Sequence, residues 1–472
     1  MSGAIPKRVH LVGVGGAHMS AIARILLARG HQVSGSDLKR SPVIDALQSL
    51  GLAAYLGHAP GHVGDAELVV ATSAAKEDNP EIAEARRRGI PVLKRAEMVA
   101  RLMEGRIGVA VAGTHGKTTT TGLVAYMLVR AHLAPTYLVG GEVRDLGSNA
   151  APGEGPHIVV EADEYDSAFL AYRPDVAIVT NIEPDHLEYF GTFERMVDEF
   201  AQFMAAVPER GCLIPCVDSP AVERLVTAGG APGHPLRAQR IETYGLRAQA
   251  MWSARALEPN PDGGFDFRVV RDGVEVGPFR TRIPGEHNVS NALAAIVAGL
   301  ALGLTVEQVR EAVAAYRGVH RRFEFLGEAG GVAVVDDFAH HPTEIRATVA
   351  AARVRFPGRR IVAVFQPHTY TRTRYLLDEF RGCFGDVDRL FILETYAARE
   401  RPDEGLTGRD LAEAVTQPPA TYVATFDEAA ERIASELRAG DVFMTIGAGD
   451  VDRVGPMVLE RLRSMAGAGN HG

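Results

Sequence analysis

The sequence predicts an α/β protein of three domains: an N-terminal Rossmann-like domain, a central P-loop ATPase-like parallel sheet with a small antiparallel layer, and a C-terminal Rossmann-like domain. Three observations predict it. The chain has 472 residues, roughly three times the commonest domain size, so a single core is excluded. Short apolar runs alternate with amphipathic helical stretches three separate times, the rhythm of βαβ units. A glycine-rich turn lies between a strand pattern and a helix pattern in both the first and the second of these blocks.

The first block reads VHLVGV, MSAIARILLARG, QVSGSD, PVIDALQSLG, ELVVATSA, NPEIAEARRRG and IPVLKR. Gly30, Gly51 and Gly89 follow its predicted helices, where a residue with positive φ is commonly needed to stop them. The second block starts at IGVAVAG and runs through the helix TTTGLVAYMLVRA, the strands HIVVEA and DVAIVTNI, and the helix TFERMVDEFAQFMAAV. From about Met251 to Pro284, polar and apolar residues alternate around Asp262-Gly263-Gly264 and Asp272-Gly273, which predicts β-hairpins. Two helices follow, HNVSNALAAIVAGLALG and TVEQVREAVAAYRG. A third α/β block comprises GVAVVDD, PTEIRATVAAARVRF, RIVAVFQP, RLFILET and DVFMTIGAG. The expected domains are therefore 1–105, 106–318 and 319–472, and the small, polar tail 466–472 is expected to be disordered.

Composition narrows the function. A net charge of -9 lacks the basic excess that nucleic-acid binding usually needs, so no nucleic-acid partner is expected. The uncharged stretch from Asn288 to Val306 has too short an apolar centre for a membrane span and is expected to be a buried helix. The N-terminus shows no secretory signal pattern, so a cytoplasmic location without a membrane partner is expected. Cys212, Cys216 and Cys383 are too few and too scattered for a disulfide framework or a zinc site. All lysines, Lys7, Lys39, Lys76, Lys94 and Lys117, lie in the first quarter of the chain, so a lysine kept in a glycine-rich turn is conspicuous.

That turn is Gly113-Thr114-His115-Gly116-Lys117-Thr118-Thr119. Backbone N–H groups at a helix N-terminus suit a phosphate, Lys117 adds a point charge expected to be exposed, and Thr118 can reach Mg²⁺. Val111 stands where the full P-loop pattern has its first glycine. Acids collect at the ends of the following strands, in Glu161-Ala162-Asp163-Glu164-Tyr165-Asp166 and in Asn181-Ile182-Glu183-Pro184-Asp185-His186. Strand ends are where α/β folds place ligands, and carboxylates beside a phosphate cradle suit Mg²⁺. In the first block, Gly13-Val14-Gly15-Gly16-Ala17-His18 resembles a dinucleotide fingerprint with His18 at its third glycine, and Asp37 stands where a ribose-binding acid belongs. By itself this loop fits a dehydrogenase or the diphosphate of another nucleotide.

The loop Gly-Thr-His-Gly-Lys-Thr-Thr-Thr resembles the ATP loop of the Mur ligases. Further blocks agree in order and spacing: HLVGVGGAHMSAIA, SGSD, TSAAKEDNPE, EADEYD, TNIEPDH, GEHNVSNALAA, RRFE, DDFAHHPTE, FQPHTYTRTR and TIGAGD. The resemblance implies ATP-dependent amide formation, in which the lactyl carboxylate of a UDP-sugar takes the γ-phosphoryl group and an amine displaces phosphate. FQPHTYTRT points to the members that use UDP-N-acetylmuramate and L-alanine; the alternative is a recycling ligase attaching a tripeptide to the same UDP-sugar. It implies ATP as co-substrate and Mg²⁺ held by Thr118, Glu161 and His186. By the same resemblance, ATP lies on Gly113 to Thr119, Asn288, Asn291, Arg322 and Asp337. The UDP-sugar lies on Gly15, Gly16, His18, Asp37, Ser73 and His115, and catalysis falls to Lys117, His340 and Arg372. Three residues depart from the family pattern: His18 for a loop glycine, Thr369 where many relatives carry Arg, and Phe338 where others have Tyr. Several members carry a carbamylated lysine near the metal, which this chain, lacking any lysine after Lys117, does not provide. A dehydrogenase leaves the Gly-Lys-Thr loop unexplained, and a nucleotide switch leaves the C-terminal blocks without a role. Oligomeric state is not legible in the sequence.

Overall fold

The computed structural model describes residues 4–398 and 400–468. In the first sheet, five parallel strands run in the spatial order Ala53–Leu56, Gln32–Asp37, Arg8–Val12, Leu68–Ala71, Val92–Lys94. Right-handed crossovers through helices produce this order, and it puts the loop after Arg8–Val12 at the centre of the sheet's carboxyl edge. Gly13 turns that loop at φ 82° and donates to the Ser36 carbonyl at 2.8 Å, and the helix Ala17–Ala28 starts at Gly16.

The central sheet has seven strands, in the order Arg240–Ile241, Cys212–Pro215, Val176–Val179, Ile107–Ala112, His157–Glu161, Thr136–Val143, Ser148–Ala151. All pairs are parallel except the last. The sequence reading passes over the last two strands of this order, within residues 136–151. Gly140 and Gly141 break their alternation, and both are required by packing: a Cβ on Gly140 would lie 2.6 Å from a Glu161 carboxylate oxygen, and one on Gly141 2.8 Å from Val319.

The expected antiparallel layer is present as Trp252–Pro259, Phe265–Arg271 and Val274–Thr281, with Tyr244–Gly245 added in parallel. Asp272 and Gly273 both take positive φ at its hairpin, as a type I′ turn demands. Between this layer and the main central sheet runs the helix Glu286–Ala301, which covers most of the uncharged stretch and is buried on nearly every side against Lys117–Arg130, Cys212–Pro215 and Trp252–Pro259. Its apolar composition therefore reflects burial within protein. Among the described residues no helix is long and apolar enough to cross a membrane.

In the C-terminal sheet the order is Glu324–Ala329, Val332–Asp337, Val442–Ile446, Ile361–Phe365, Arg389–Leu393, Ala420–Val423, with only the first strand antiparallel. Its last helix, Val454–Ala468, continues into the tail expected to be disordered, and residues 469–472 lie outside the described part. The three cysteines are free and buried, in line with their reading as packed thiols.

Candidate active site

The loop 113–116 leaves the middle strand of the central sheet and opens the helix Lys117–Arg130. Gly113 and Gly116 are obligatory here. Gly113 has φ 135°, and a Cβ would fall 2.0 Å from the Thr180 hydroxyl; Gly116 has φ 83°, and a Cβ would fall 2.3 Å from the Asn291 side-chain oxygen. Lys117 is not the exposed side chain expected from the sequence. Its ammonium donates to the carbonyls of Gly113 (2.5 Å) and Thr114 (3.1 Å) and pairs with buried Glu164 at 2.8 Å, and its side chain is 14% exposed. The lysine thus folds back over its own loop onto Glu164.

Glu161, last residue of its strand, accepts from the Thr118 hydroxyl at 3.0 Å and from the Gly140 amide at 2.7 Å. Both carboxylate oxygens are therefore held in place by hydrogen bonds within the protein. These two residues share a cleft of about 360 Å³ with Lys117, Asp163, Glu164, Asp185, His186, His340 and Arg322. His18 also lines it. The imidazole that replaces a loop glycine points away from its own loop toward the central acids, with Nε2 shut off from solvent and unpartnered; burial, then Arg95, keeps it neutral by lowering its pKa. Asp163 is held by Arg95 at 2.9 Å. His186 pairs with Glu188 at 3.3 Å and faces Asp185 at 3.7 Å; burial opposes its charge, but the neighbouring Asp185 leaves its pKa raised.

A second, narrower cavity of about 170 Å³ adjoins the first between the central and C-terminal sheets. His115, Thr118, Thr119, Asn288, Asn291, Arg322 and Asp337 line it together, so the residues expected at ATP, drawn from three separated stretches of chain, converge on one space. Asn288 donates to the Pro284 carbonyl (2.7 Å) and accepts from Asn291 (3.1 Å), which fixes the orientation of both amides. Asp337 accepts from the amides of Phe323 and Ala339 at 2.7 Å each; burial pushes its pKa up to about 6, with Arg322 pulling the other way. The Phe338 ring lies under two guanidiniums, 5.1 Å from Arg321 and 5.0 Å from Arg322, so an aromatic face serves where a phenol was expected in relatives.

Sequence reasoning missed two bridges between the central and C-terminal sheets. Arg372 is buried and already engaged by Asp185, with Nε to Oδ1 at 3.0 Å and a second contact at 3.4 Å, while its other nitrogen meets His368 at 3.0 Å. His115 stands between Glu183 (3.3 Å) and Glu344 (3.2 Å); burial alone would neutralise it, but the two carboxylates raise its pKa to about 9. Asp185 and Glu344 lay inside quoted motifs, yet nothing in the linear order indicated that they meet partners 187 and 229 residues away. His340 contacts the Phe338 carbonyl at 3.0 Å and Glu344 at 3.3 Å, and burial lowers its pKa to about 4, leaving it a neutral base. Thr369 begins the short helix Tyr370–Tyr375 at φ 68° and brings no charge to Arg372.

The residues expected at the UDP-sugar divide. Gly15, Gly16 and Ser73 lie on loops that follow strands of the first sheet and Asp37 ends the strand Gln32–Asp37, whereas His18 and His115 face the central clefts. Asp37 has both oxygens engaged within its own loops, by the Gly15 amide at 2.9 Å and the Lys39 amide at 3.2 Å, so here it shapes the turn.

A glycine-rich loop of the phosphate-binding pattern, hydrogen-bonded carboxylates and an arginine of the C-terminal sheet share these cavities, the arrangement of a nucleotide-using α/β protein. Three family models match in succession: "Mur ligase family, catalytic domain" over residues 8–106, "Mur ligase middle domain" over 111–299, and "Mur ligase, glutamate ligase domain" over 321–449. The chain belongs to the Mur ligase family. It is 45% identical over 461 residues to the UDP-N-acetylmuramate–L-alanine ligase of Anaeromyxobacter sp. (strain Fw109-5), covering 97% of this chain and 98% of the relative. With the enzyme of that name from Kineococcus radiotolerans it shares 46% identity over 461 residues, 96% of each. Among solved structures, the UDP-N-acetylmuramate-alanine ligase of Thermotoga maritima superposes with a TM-score of 0.81 at 28% identity, over 97% of this chain and 99% of that one. A murein peptide ligase from Psychrobacter arcticus follows with a TM-score of 0.72 at 25% identity and the same coverage.

Proposed function

We propose that this protein is an ATP-dependent ligase that joins L-alanine to the lactyl carboxylate of UDP-N-acetylmuramate in peptidoglycan precursor synthesis. The observation that carries the reading is end-to-end similarity above 40% to enzymes of that name, combined with a phosphate-loop pattern that shares a cavity with Arg322 of the C-terminal block. The tripeptide-adding alternative has the weaker support, a structural neighbour with a lower TM-score.

In the proposed reaction, residues 1–105 hold the UDP-sugar through the turn of Gly15 and Gly16 and through Asp37 and Ser73. Residues 106–318 hold ATP, and residues 319–472 close over it with Arg322 and Asp337. A carboxylate is a poor acyl donor until phosphorylated, and it is repelled by ATP, so cations must stand between the two. Lys117 is the resident one: leaving Glu164 for the β- and γ-phosphate oxygens, it exchanges one anion for another over a short swing. The Thr118 hydroxyl and the Glu161 carboxylate, hard oxygens 3.0 Å apart at the cleft wall, fit Mg²⁺, with His186 as a third candidate. When bound, Mg²⁺ would supply further positive charge at the transferred phosphoryl group.

Arg372 has the planar fork that a carboxylate requires, and we assign it to the incoming amino acid, with Asp185 keeping its place beforehand. His340 lines the cleft that holds Lys117 and Glu161, and we place it beside the acyl phosphate and the incoming amine. ATP and UDP-sugars are cytoplasmic metabolites, and we place the enzyme there. The deciding experiment is phosphate release by purified protein with ATP and UDP-N-acetylmuramate, comparing L-alanine, glycine, L-serine and the tripeptide. L-Alanine is expected to give the highest kcat/KM; preference for the tripeptide would overturn the reading.

A further inference from the structure

His115, Glu183 and His341 meet at the seam between the central phosphate loop and the helix Pro342–Arg355 of the C-terminal sheet. One nitrogen of each imidazole and one carboxylate oxygen all lie within 4.8 Å of one another. His115 Nε2 faces Glu183 at 3.3 Å, and the two imidazole rings are 4.7 Å apart at their centres. None of the three belongs to the Thr118, Glu161 and His186 set assigned to Mg²⁺.

We propose that these three residues form a separate site for a borderline-soft divalent cation of the Zn²⁺ class, bridging the central and C-terminal domains. The donor set selects the metal. Two imidazoles and a carboxylate suit Zn²⁺, whose bonds to nitrogen and oxygen are about 2.0–2.2 Å, whereas Mg²⁺ prefers oxygen and water. Such bonds require donors on the order of 3–3.5 Å apart, closer than the 4.8 Å within which the three atoms lie, so an ion draws the three side chains together.

The surroundings support the assignment. With Nε2 of His115 on the metal side, its Nδ1–H points to Glu344 at 3.2 Å, the carboxylate–histidine arrangement that fixes tautomer and ring orientation in metal sites. Glu183 is oriented by the Thr343 hydroxyl at 2.7 Å. His341 holds the Pro184 carbonyl with Nε2 at 3.2 Å and accepts from the Thr343 amide with Nδ1 at 3.3 Å, so it gives up one of these two contacts to ligate the ion. His115 and Glu183 also line the nucleotide cavity, so the remaining coordination position opens toward ATP. An ion here ties a loop of one domain to a helix of the next and holds the seam closed. Zn²⁺ therefore inhibits turnover by retarding nucleotide exchange, and Mg²⁺ in excess does not relieve the inhibition.

Calorimetric titration of the full-length protein with Zn²⁺ in millimolar Mg²⁺ tests this, with Co²⁺ absorption as a second readout. Expected are one tightly bound Zn²⁺ per chain and intense visible Co²⁺ bands of low coordination number. His341→Asn, which keeps an acceptor at the start of its helix, and Glu183→Gln should each weaken Zn²⁺ at least tenfold and lose those bands. Circular dichroism establishes that each variant is folded, and either folded variant suffices. Absence of Zn²⁺ binding by the unmodified protein, or undiminished binding by a folded variant, overturns the proposal.

Discussion

Lys117 illustrates how a residue can be legible in kind and not in state. Its place in a Gly-Lys-Thr turn announced phosphate chemistry, but its ion pair with Glu164, 47 positions away, was invisible because strand order decides which acid faces the loop. Lys117→Ala should lower turnover by about 10²–10³-fold, the usual consequence of removing a preorganised charge at a developing anion. It also leaves Glu164 buried without a cation, so a fall in melting temperature is expected alongside. Adding Glu164→Gln should restore the melting temperature and leave turnover low; recovery of activity in the double variant would remove Lys117 from phosphoryl transfer. Arginine at 117 should rescue poorly, since a planar fork does not fit the compact seat of an ammonium. Glu161, gripped by Thr118 and by the Gly140 amide, gives a second test: Glu161→Gln should move the Mg²⁺ titration of activity to higher concentration. An unchanged titration would return Glu161 to a purely structural role.

Helices and strands followed the apolar rhythm wherever burial alone set the sequence, as in Val332–Asp337 or Phe193–Ala205. They escaped where a functional contact overrode the rhythm, and Thr136–Val143 is the instructive case. Its glycine pair makes room for the Glu161 carboxylate and for Val319, so the same feature that hid the strand serves the site. A comparable constraint acts inside the helix Lys117–Arg130. A Cβ on Gly122 would stand 2.4 Å from the Tyr316 hydroxyl, which donates to the Thr119 carbonyl at 3.3 Å. Helix propensity favours Gly122→Ala by about 1 kcal/mol, and overpacking opposes it by about 1–3 kcal/mol. Net destabilisation in denaturant titrations and a raised KM for ATP are expected, because Tyr316 must leave the back of the phosphate-loop helix. Higher stability in the Ala variant would mean that the ring yields freely.

Across the whole molecule, the succession of three α/β blocks was readable because each repeats the βαβ rhythm, but the bridges between them were not, and the first two blocks share one apolar core. His115 is the bridge whose strength depends on pH. Its pKa rises on folding from 6.5 to about 9, so its stabilising contribution is complete below about pH 6.5 and is lost as pH climbs through 9. The melting temperature should fall over that interval, and less so in His115→Gln; identical profiles would show that the bridge contributes nothing. Because no lysine follows Lys117, activity should also withstand bicarbonate depletion at mildly acidic pH, and rescue by added carbon dioxide would contradict the metal site drawn here. Gly116, Thr118, Arg322 and Glu344 line both the narrower cavity and the larger cleft, so the two spaces share one wall. Under the proposed function ATP and the reacting end of the sugar nucleotide meet across this wall, and any coupling is reciprocal: the factor that ATP imposes on the affinity for the sugar nucleotide, the sugar nucleotide imposes on the affinity for ATP.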